Sequence, residues 1–316
     1  WIEAQKVRLG MDMQKEGFEW KKQIVLFEVT KAYYEVVYAK ARRDVLKKAI
    51  DTARKNFLIV EALFQEGMVV KSDYLSSMVN LSSLEQEMII AENALKNSIY
   101  RLNHTMGLPV ETVHEFPEGI EEDRFILPEL DQLIKDALQR RPDYNQMRIT
   151  QRLKEKDIMV SSMRFLPSLN IYASYDLNDR DPFGSRGESW LAMAIINMNI
   201  FSGFSDYAKM HEERADHERI KYLLQDYESM INLQIREAFL RVNSAKERIN
   251  VARKAVVQAE EALRIIENRY RAGISGIVEL LQAETRLKEH RLSEIKAIFD
   301  YNMSIAELKL MAGIMN

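Results

Sequence analysis

Between Ile231 and Tyr270 the apolar residues recur with a period of seven. Ile231, Ile235, Ala238, Val242, Ala245, Ile249, Ala252, Val256, Ala259, Leu263, Ile266 and Tyr270 follow alternating steps of four and three. A seven-residue apolar repeat sustained this long is the seam of a left-handed coiled coil. Large side chains alternate with alanine along it, so a partner helix can approach closely. A helix from about 204 to 270 would be roughly 100 Å long at 1.5 Å per residue, a length no compact domain needs. Composition agrees: 316 residues hold only 11 glycines and 6 prolines, with 29% charged and 47% hydrophobic residues, which suits long helices better than a loop-rich domain.

The seam occurs twice. One offset of 206 residues, that between Gly67 and Gly273, also carries Gly107 onto Gly313, and it pairs Ala32 with Ala238, Arg42 with Arg248, Ala53 with Ala259, Leu81 with Leu287 and Ala91 with Ala297. Two copies of one helical hairpin follow, about 1–107 and about 202–313. In the first copy the seam runs through Val25, Val29, Ala32, Val36, Ala39, Leu46, Ile50, Ala53, Phe57, Val60 and Phe64, and Arg43 breaks it once. The return helix of the second copy carries Ile277, Leu280, Leu281, Leu287, Leu292, Ile295, Ile298 and Phe299 mostly on one face, with Gly313 where a C-terminal cap belongs.

Different material separates the copies. Residues 110–128 hold two prolines, Pro117 and Pro128, just after Pro109, and the acids Glu115, Glu118, Glu121, Glu122 and Asp123, a surface connector. A helix is expected from about Pro128 to Phe165, kinked or restarted at Pro142. The period then drops to two. In SLNIYASYDLN (168–178), Leu169, Ile171, Ala173, Tyr175 and Leu177 point one way, and Asn170, Tyr172, Ser174, Asp176 and Asn178 the other. In SWLAMAIINMNIF (189–201), Trp190, Ala192, Ala194, Ile196, Met198 and Ile200 make a wholly apolar face, while the other carries Asn197 and Asn199. The stretch between, 179–188, reads as a polar turn. Each strand is close to the roughly 9–11 residues of a tilted transmembrane strand, with the apolar-out, polar-in alternation of an outer-membrane barrel; the other reading of the same pattern is a hairpin packed on helices.

Several functions are excluded or left without support. A net charge of -3 and a pI near 6.1 argue against a nucleic-acid binder, whose footprint is a basic stripe. No cysteine is present, so there is no disulfide framework, thiolate metal site or cysteine nucleophile. The longest run free of polar residues is WLAMAII (190–196), short of the roughly 20 that a transmembrane helix needs, so any crossing must use strands. The histidines are His104, His114, His211, His217 and His290. The six-residue step from His211 to His217 fails the i, i+4 spacing of a helical zinc motif, and both read as solvated helix positions. Glu267 and Arg271 read as a surface i, i+4 pair. No phosphate loop, nucleophile elbow or dinucleotide fingerprint occurs, so no enzyme activity, cofactor or metal is expected.

A strand hairpin ending in IFSGFSD (200–206), a very long helix, a tip of the form Tyr-x-x-Gly followed by an acid and Leu-Leu (Tyr270, Gly273, Glu279, Leu280, Leu281) and a return helix ending in Gly313 together resemble the TolC-like outer-membrane efflux protein family. Arg141-Pro142-Asp143 and the later Leu166-Pro167-Ser168-Leu169 are likewise similar to that family's second-repeat helix and first strand. The resemblance covers essentially the whole chain. It implies a mainly α fold with a small β part: very long coiled-coil helices in a trimeric periplasmic α-barrel, strands contributing to a shared outer-membrane β-barrel, and an internal two-fold repeat. Residues 1–109 would be the helical hairpin of repeat one, 110–128 a connector, 129–167 the helix leading into repeat two, 168–201 the barrel strands and 202–316 the helical hairpin of repeat two. Repeat one lacks its own lead-in helix and strand pair. Three such chains would supply six strands, fewer than the roughly 8 of the smallest outer-membrane barrels. The chain also starts at Trp1 inside a helical pattern, so about a hundred or more upstream residues, including a signal sequence or lipoprotein signal, are expected in the native protein.

The resemblance further implies a passive conduit for efflux or type I secretion, located in the outer membrane with its helices in the periplasm. Its partners would be two more copies of itself, a periplasmic adaptor, an inner-membrane pump and outer-membrane lipid, with no nucleic acid. Leu169, Ile171, Tyr175, Trp190, Ile196 and Met198 would face lipid. Tight reversals at Gly67, Gly273, Ser275 and Gly276 would shape the tips and dock the adaptor, the glycines of the second tip, Gly273 and Gly276, permitting positive φ and close helix approach. Asp73 and Glu279 occupy matching positions at the two tips, with Tyr270 at a tip tyrosine, as residues that hold the entrance shut; Gln282 stands where a second acid can follow. The residues alone leave another class open, a non-membrane coiled-coil scaffold in which the strands form a small capping sheet. It differs in needing protein to cover the row from Trp190 to Ile200.

Overall fold

A computed structural model of the chain describes residues 1–177 and 188–315. Apart from Glu188, the polar turn expected at 179–188 lies outside the described residues. Among them the order of elements is α1 (Ile2–Gln65), α2 (Lys71–Thr105), α3 (Leu130–Arg140), α4 (Pro142–Met163), β1 (Ser168–Leu177), β2 (Glu188–Asn197), α5 (Ser205–Arg271) and α6 (Ile277–Met311). Two compact units share the long helices: Trp1–Phe18 with Pro142–Ser229, and Glu19–Arg141 with Met230–Asn316.

In the second unit the seam of α5 is the core. From Ile231 to Tyr270 every seam residue is buried except Ile266, which is partly buried. The seam of α1 is followed less closely: Val25 is exposed, while Val37 and Ala41, off the stripe, are buried. At that level α1 is flanked on two sides, since the Tyr38 ring packs 5.0 Å from Phe299 of α6 and Lys40 reaches the Phe116 carbonyl of the connector. Burial there spreads beyond one seven-residue stripe. Towards the tips, Val60 of α1, Val256, Ala259, Leu263 and Tyr270 of α5 and Ile277, Leu280, Ala283 and Leu287 of α6 form one cluster, with Tyr74 of α2 packed against it.

Both long helices stop in the same way. The Gly67 N–H donates to the Phe64 carbonyl and the Met68 N–H to Leu63, and the Gly273 N–H donates to Tyr270 and the Ile274 N–H to Arg269. These are paired Schellman closures on a left-handed residue, with φ of 74° at Gly67 and 72° at Gly273. Each return helix, α2 and α6, is 35 residues long. Gly276 corrects the expectation for the second tip. Its φ is -83°, ordinary extended backbone at the N-cap of α6, and a Cβ there would meet nothing within 4 Å. The matching residue at the first tip is Val70, with φ -82°, so the reversal depends on one glycine per tip.

The connector lies at the surface but is pinned. The buried Asn103 side chain donates to the carbonyls of Val110 and Thr112 and accepts from His114 Nε2 at 2.7 Å. Asn302 accepts from the Asp123 N–H and donates to the Glu121 carbonyl. Pro142 restarts the helix rather than kinking it. Arg141 is extended, with ψ 117°, because the proline ring disfavours helical backbone in the residue before it, while Pro142 itself opens α4, where its missing N–H costs nothing.

In the first unit β1 and β2 pair antiparallel, with Leu169 opposite Ile196, Ile171 opposite Ala194, Ala173 opposite Ala192 and Tyr175 opposite Trp190. Directly opposed residues share a face, so these eight form one side. His217 differs from expectation: its side chain is largely covered, with Nε2 buried, making no hydrogen bond among the described residues and lying 3.7 Å from Glu155. His211 is exposed, as expected for a solvated position.

Candidate functional site: an apolar strand face and two helical tips

The eight-residue strand face is apolar throughout and exposed throughout. Ile171 and Trp190 are each 78% exposed and Ile196 72%. Bare aliphatic and aromatic side chains in a continuous row are unfavourable in water and mark a surface that meets lipid or protein. The opposite face is polar along β1, with Asn170, Tyr172, Ser174 and Asp176, and at the ends of β2, with Ser189 and Asn197. On β2 it carries Leu191, Met193 and Ile195, so the strand is apolar on both faces in its middle, which the sequence reading did not anticipate. Met198 lies one residue beyond β2, exposed, and Asn199 has left the sheet to donate to Asp206 Oδ2 at 3.0 Å near the start of α5. The strand hairpin is therefore shorter than the expected 168–201.

At the other site, the tips of the two hairpins pack together. A cleft of about 480 Å³ is lined by Met68, Val69, Asp73, Tyr270, Gly273, Ser275 and Gly276 among others. Five of the residues expected at the tip thus meet in one place. Asp73 and Glu279 each sit in the first turn of a return helix, where the positive end of the helix dipole favours a carboxylate. The Ser275 hydroxyl, itself buried, donates to Glu279 Oε2 at 2.6 Å and fixes that side chain. Glu279 and Gln282 line a separate groove of about 420 Å³ between α5 and α6, with Ala259, Ala262, Arg286 and His290. Gly67 caps α1 without contributing to either depression.

Tyr270 is 6% exposed and its hydroxyl has no hydrogen-bond partner among the described residues. Burial, and then the negative charge of Asp73, push its ionisation upward. An unpartnered buried hydroxyl costs roughly 1–3 kcal/mol. Tyr270→Phe is therefore expected to leave the chain as stable or more stable, by up to roughly 1 kcal/mol in chemical denaturation; a loss of that size would mean that the hydroxyl is bonded in the folded protein.

Four polar residues behind the tips were missed as a group. Glu284 of α6 is 9% exposed and accepts from Asn56 Nδ2 of α1 at 2.5 Å and from Asn80 Nδ2 of α2 at 3.0 Å. Glu267 of α5 accepts from the same Asn56 nitrogen at 3.5 Å. Glu267 thus turns inward and makes no ion pair with Arg271, against expectation. Burial raises the Glu284 carboxyl above its ordinary value, with Glu267 adding to the rise and the two amides opposing it. A signal existed in the sequence: Glu284 interrupts the stripe Ile277, Leu280, Leu281, Leu287 at a position where the helix faces inward.

An apolar strand pair left exposed, in one chain with two long helical hairpins, marks a surface that meets lipid or protein, and direct comparison with known proteins shows the family. The outer membrane efflux protein family matches residues 133–314, and the chain belongs to that family. Among curated relatives, the outer membrane protein TolC of Salmonella enteritidis is 21% identical over 326 residues, covering 96% of this chain and 64% of the relative. The alkaline protease secretion protein AprF of Pseudomonas aeruginosa is 22% identical, with the same two coverages. The chain thus spans 64% of the length of these relatives. Among solved structures, the open state of the Neisseria gonorrhoeae MtrE outer membrane channel superposes with a TM-score of 0.84 at 16% identity, over 100% of this chain and 72% of that one.

Proposed function

We propose that this chain is the greater part of the outer-membrane channel of a tripartite efflux or type I secretion system. Three copies form the conduit. Their strands contribute to a barrel in the outer membrane, their long helices wall a tunnel in the periplasm, and the tips meet a periplasmic adaptor and an inner-membrane pump. The channel is passive and is not an enzyme: export is driven by its partners. The observation that supports this most is the eight-residue strand face, apolar and exposed along its whole length, since a barrel presents such a face to lipid. Family membership and the secretion role in AprF's name point the same way.

In this reading the tips are the gate. Asp73 lies in the cleft with Tyr270 and Ser275, and Ser275 holds Glu279 by a hydrogen bond, so the two acids are built into the packed end of the hairpins. Gln282 takes the place of a second acid in the return helix, which leaves one carboxylate per tip at this level. Asp73→Ala and Glu279→Ala are each expected to loosen the closed end. Single-channel recording of the full-length protein in planar bilayers should show higher resting conductance in both variants. Unchanged resting conductance in both would remove these residues from the gate.

A further inference from the structure

Behind the tips, the interior of the second unit holds a contact that neither the reversals nor the strand face requires. The Asn56 amide nitrogen donates to two carboxylates at once, Glu284 Oε1 and Glu267 Oε1, and Glu284 Oε2 takes a further hydrogen bond from Asn80. Four helices meet there: α1 through Asn56, α2 through Asn80, α5 through Glu267 and α6 through Glu284. Asn56 and Asn80 belong to the first hairpin and the two acids to the second. The offset of 206 places Met78 opposite Glu284 in the first copy, so the arrangement is absent from the matching position there.

We propose that Glu284 is a protonation-sensitive latch between the two hairpins, about two turns behind the reversal, and that acid tightens it. Two carboxylates that converge on one amide nitrogen repel each other, and a proton on either relieves the repulsion. Asn56 offers two N–H donors and is fully used when both acids are ionised. A protonated Glu284 becomes a donor itself and can bond the Glu267 carboxylate or the Asn56 carbonyl oxygen, turning a strained junction into a closed ring.

The other groups around Glu284 do not neutralise it. From α1 and α2 the facing groups are neutral amides; from α5 the facing charge is Glu267. On α6, Lys288 is held by Glu87 of α2 at 2.7 Å and Arg291 by Glu260 of α5 at 2.7 Å. Among the described residues no cation lies within ion-pair distance of Glu284. A cavity of about 20 Å³ beside it, lined by Thr52, Asn80, Leu84, Leu263 and Lys288 among others, has room for about one water, so the carboxyl can exchange its proton without the helices separating.

The direction with pH follows. A carboxyl raised above its ordinary 4.5 by burial favours the folded, proton-bound form, so this contribution to stability is complete below about pH 4.5 and is lost as pH rises through the folded-state value. The latch concerns the packing of the chain's own helices and does not rest on the channel reading. The test compares assembled wild-type full-length protein with E284Q and E267Q, by thermal unfolding and by hydrogen exchange of residues 277–290 corrected for intrinsic rate, from about pH 4.5 to about pH 8. E284Q is expected to unfold at a higher temperature than wild type at the alkaline end, the gap closing towards the acid end, with several-fold slower exchange in 277–290 at the alkaline end only. E267Q should show the same trend more weakly. A gap that is constant with pH, or an E284Q that is less stable at every pH with E267Q showing no trend, would overturn the latch.

Discussion

Ile171→Arg is expected to keep the protein out of the outer membrane. Ile171 is 78% exposed on the apolar side of the strand pair, opposite Ala194 in the register. On the lipid face of an outer-membrane barrel an arginine near the bilayer midplane costs about 2–4 kcal/mol, and a trimer carries the change three times. The neighbouring Asn170→Arg puts the same side chain on the opposite face, in the row with Tyr172, Ser174 and Asp176, and should assemble almost normally. The comparison is a membrane fractionation, with both variants expressed as full-length protein. Loss of Ile171→Arg alone from the outer-membrane fraction fits the lipid-facing assignment; equal recovery of both would mean that protein, not lipid, covers that row.

Gly313→Ala should lower stability by about 2–5 kcal/mol, through two contributions. At φ 69° a side chain costs about 1–2 kcal/mol. A Cβ there would also lie 3.0 Å from the Arg141 nitrogen and 3.1 Å from its Cα, and overpacking against rigid backbone costs about 1–3 kcal/mol. Arg141 cannot readily yield: the residue is 2% exposed, and its side chain donates to Gln234 Oε1 and the Met311 carbonyl and lies over the Trp20 ring. Gly276→Ala supplies the contrast. With φ -83° and open space around it, alanine should leave stability unchanged or raise it by about 0.4–1 kcal/mol by restricting the unfolded chain. Chemical denaturation separates the two cases, and equal losses at both glycines would contradict the backbone assignment.

How far the fold was legible depended on how many sides of a helix are covered. The α5 seam could be traced almost residue by residue, because one stripe of α5 faces the bundle. On α1 the stripe blurred where the connector and α6 also press on it, so Val37 and Ala41 became buried without belonging to the repeat. Glycine signals proved ambiguous for a related reason: Gly273 and Gly276 look alike in the sequence, yet only a left-handed closure demands glycine, and Gly276 sits three residues past it. Of the functional regions, the strand face was the more readable, since a two-residue period declares which side each residue takes. The second face of β2 was not, because Leu191, Met193 and Ile195 alternate with residues that are equally apolar.

The tip was readable from its turn and its first-turn acids, but the polar group behind it was not. Asn56 and Asn80 look like ordinary solvated helix residues, and only their convergence on Glu284 from two other helices gives them a role. Long-range pairing of that kind has no local pattern. A charged residue inside an apolar stripe, as Glu284 is, was the one trace it left.

The central claim, a trimeric conduit in the outer membrane, is tested most directly by the native mass of the full-length mature protein, measured by light scattering in mild detergent after fractionation of the envelope. A trimer that partitions with outer membranes is the predicted result. A detergent-independent, soluble monomer or dimer would contradict it and would make the strand pair a cap on a coiled-coil scaffold.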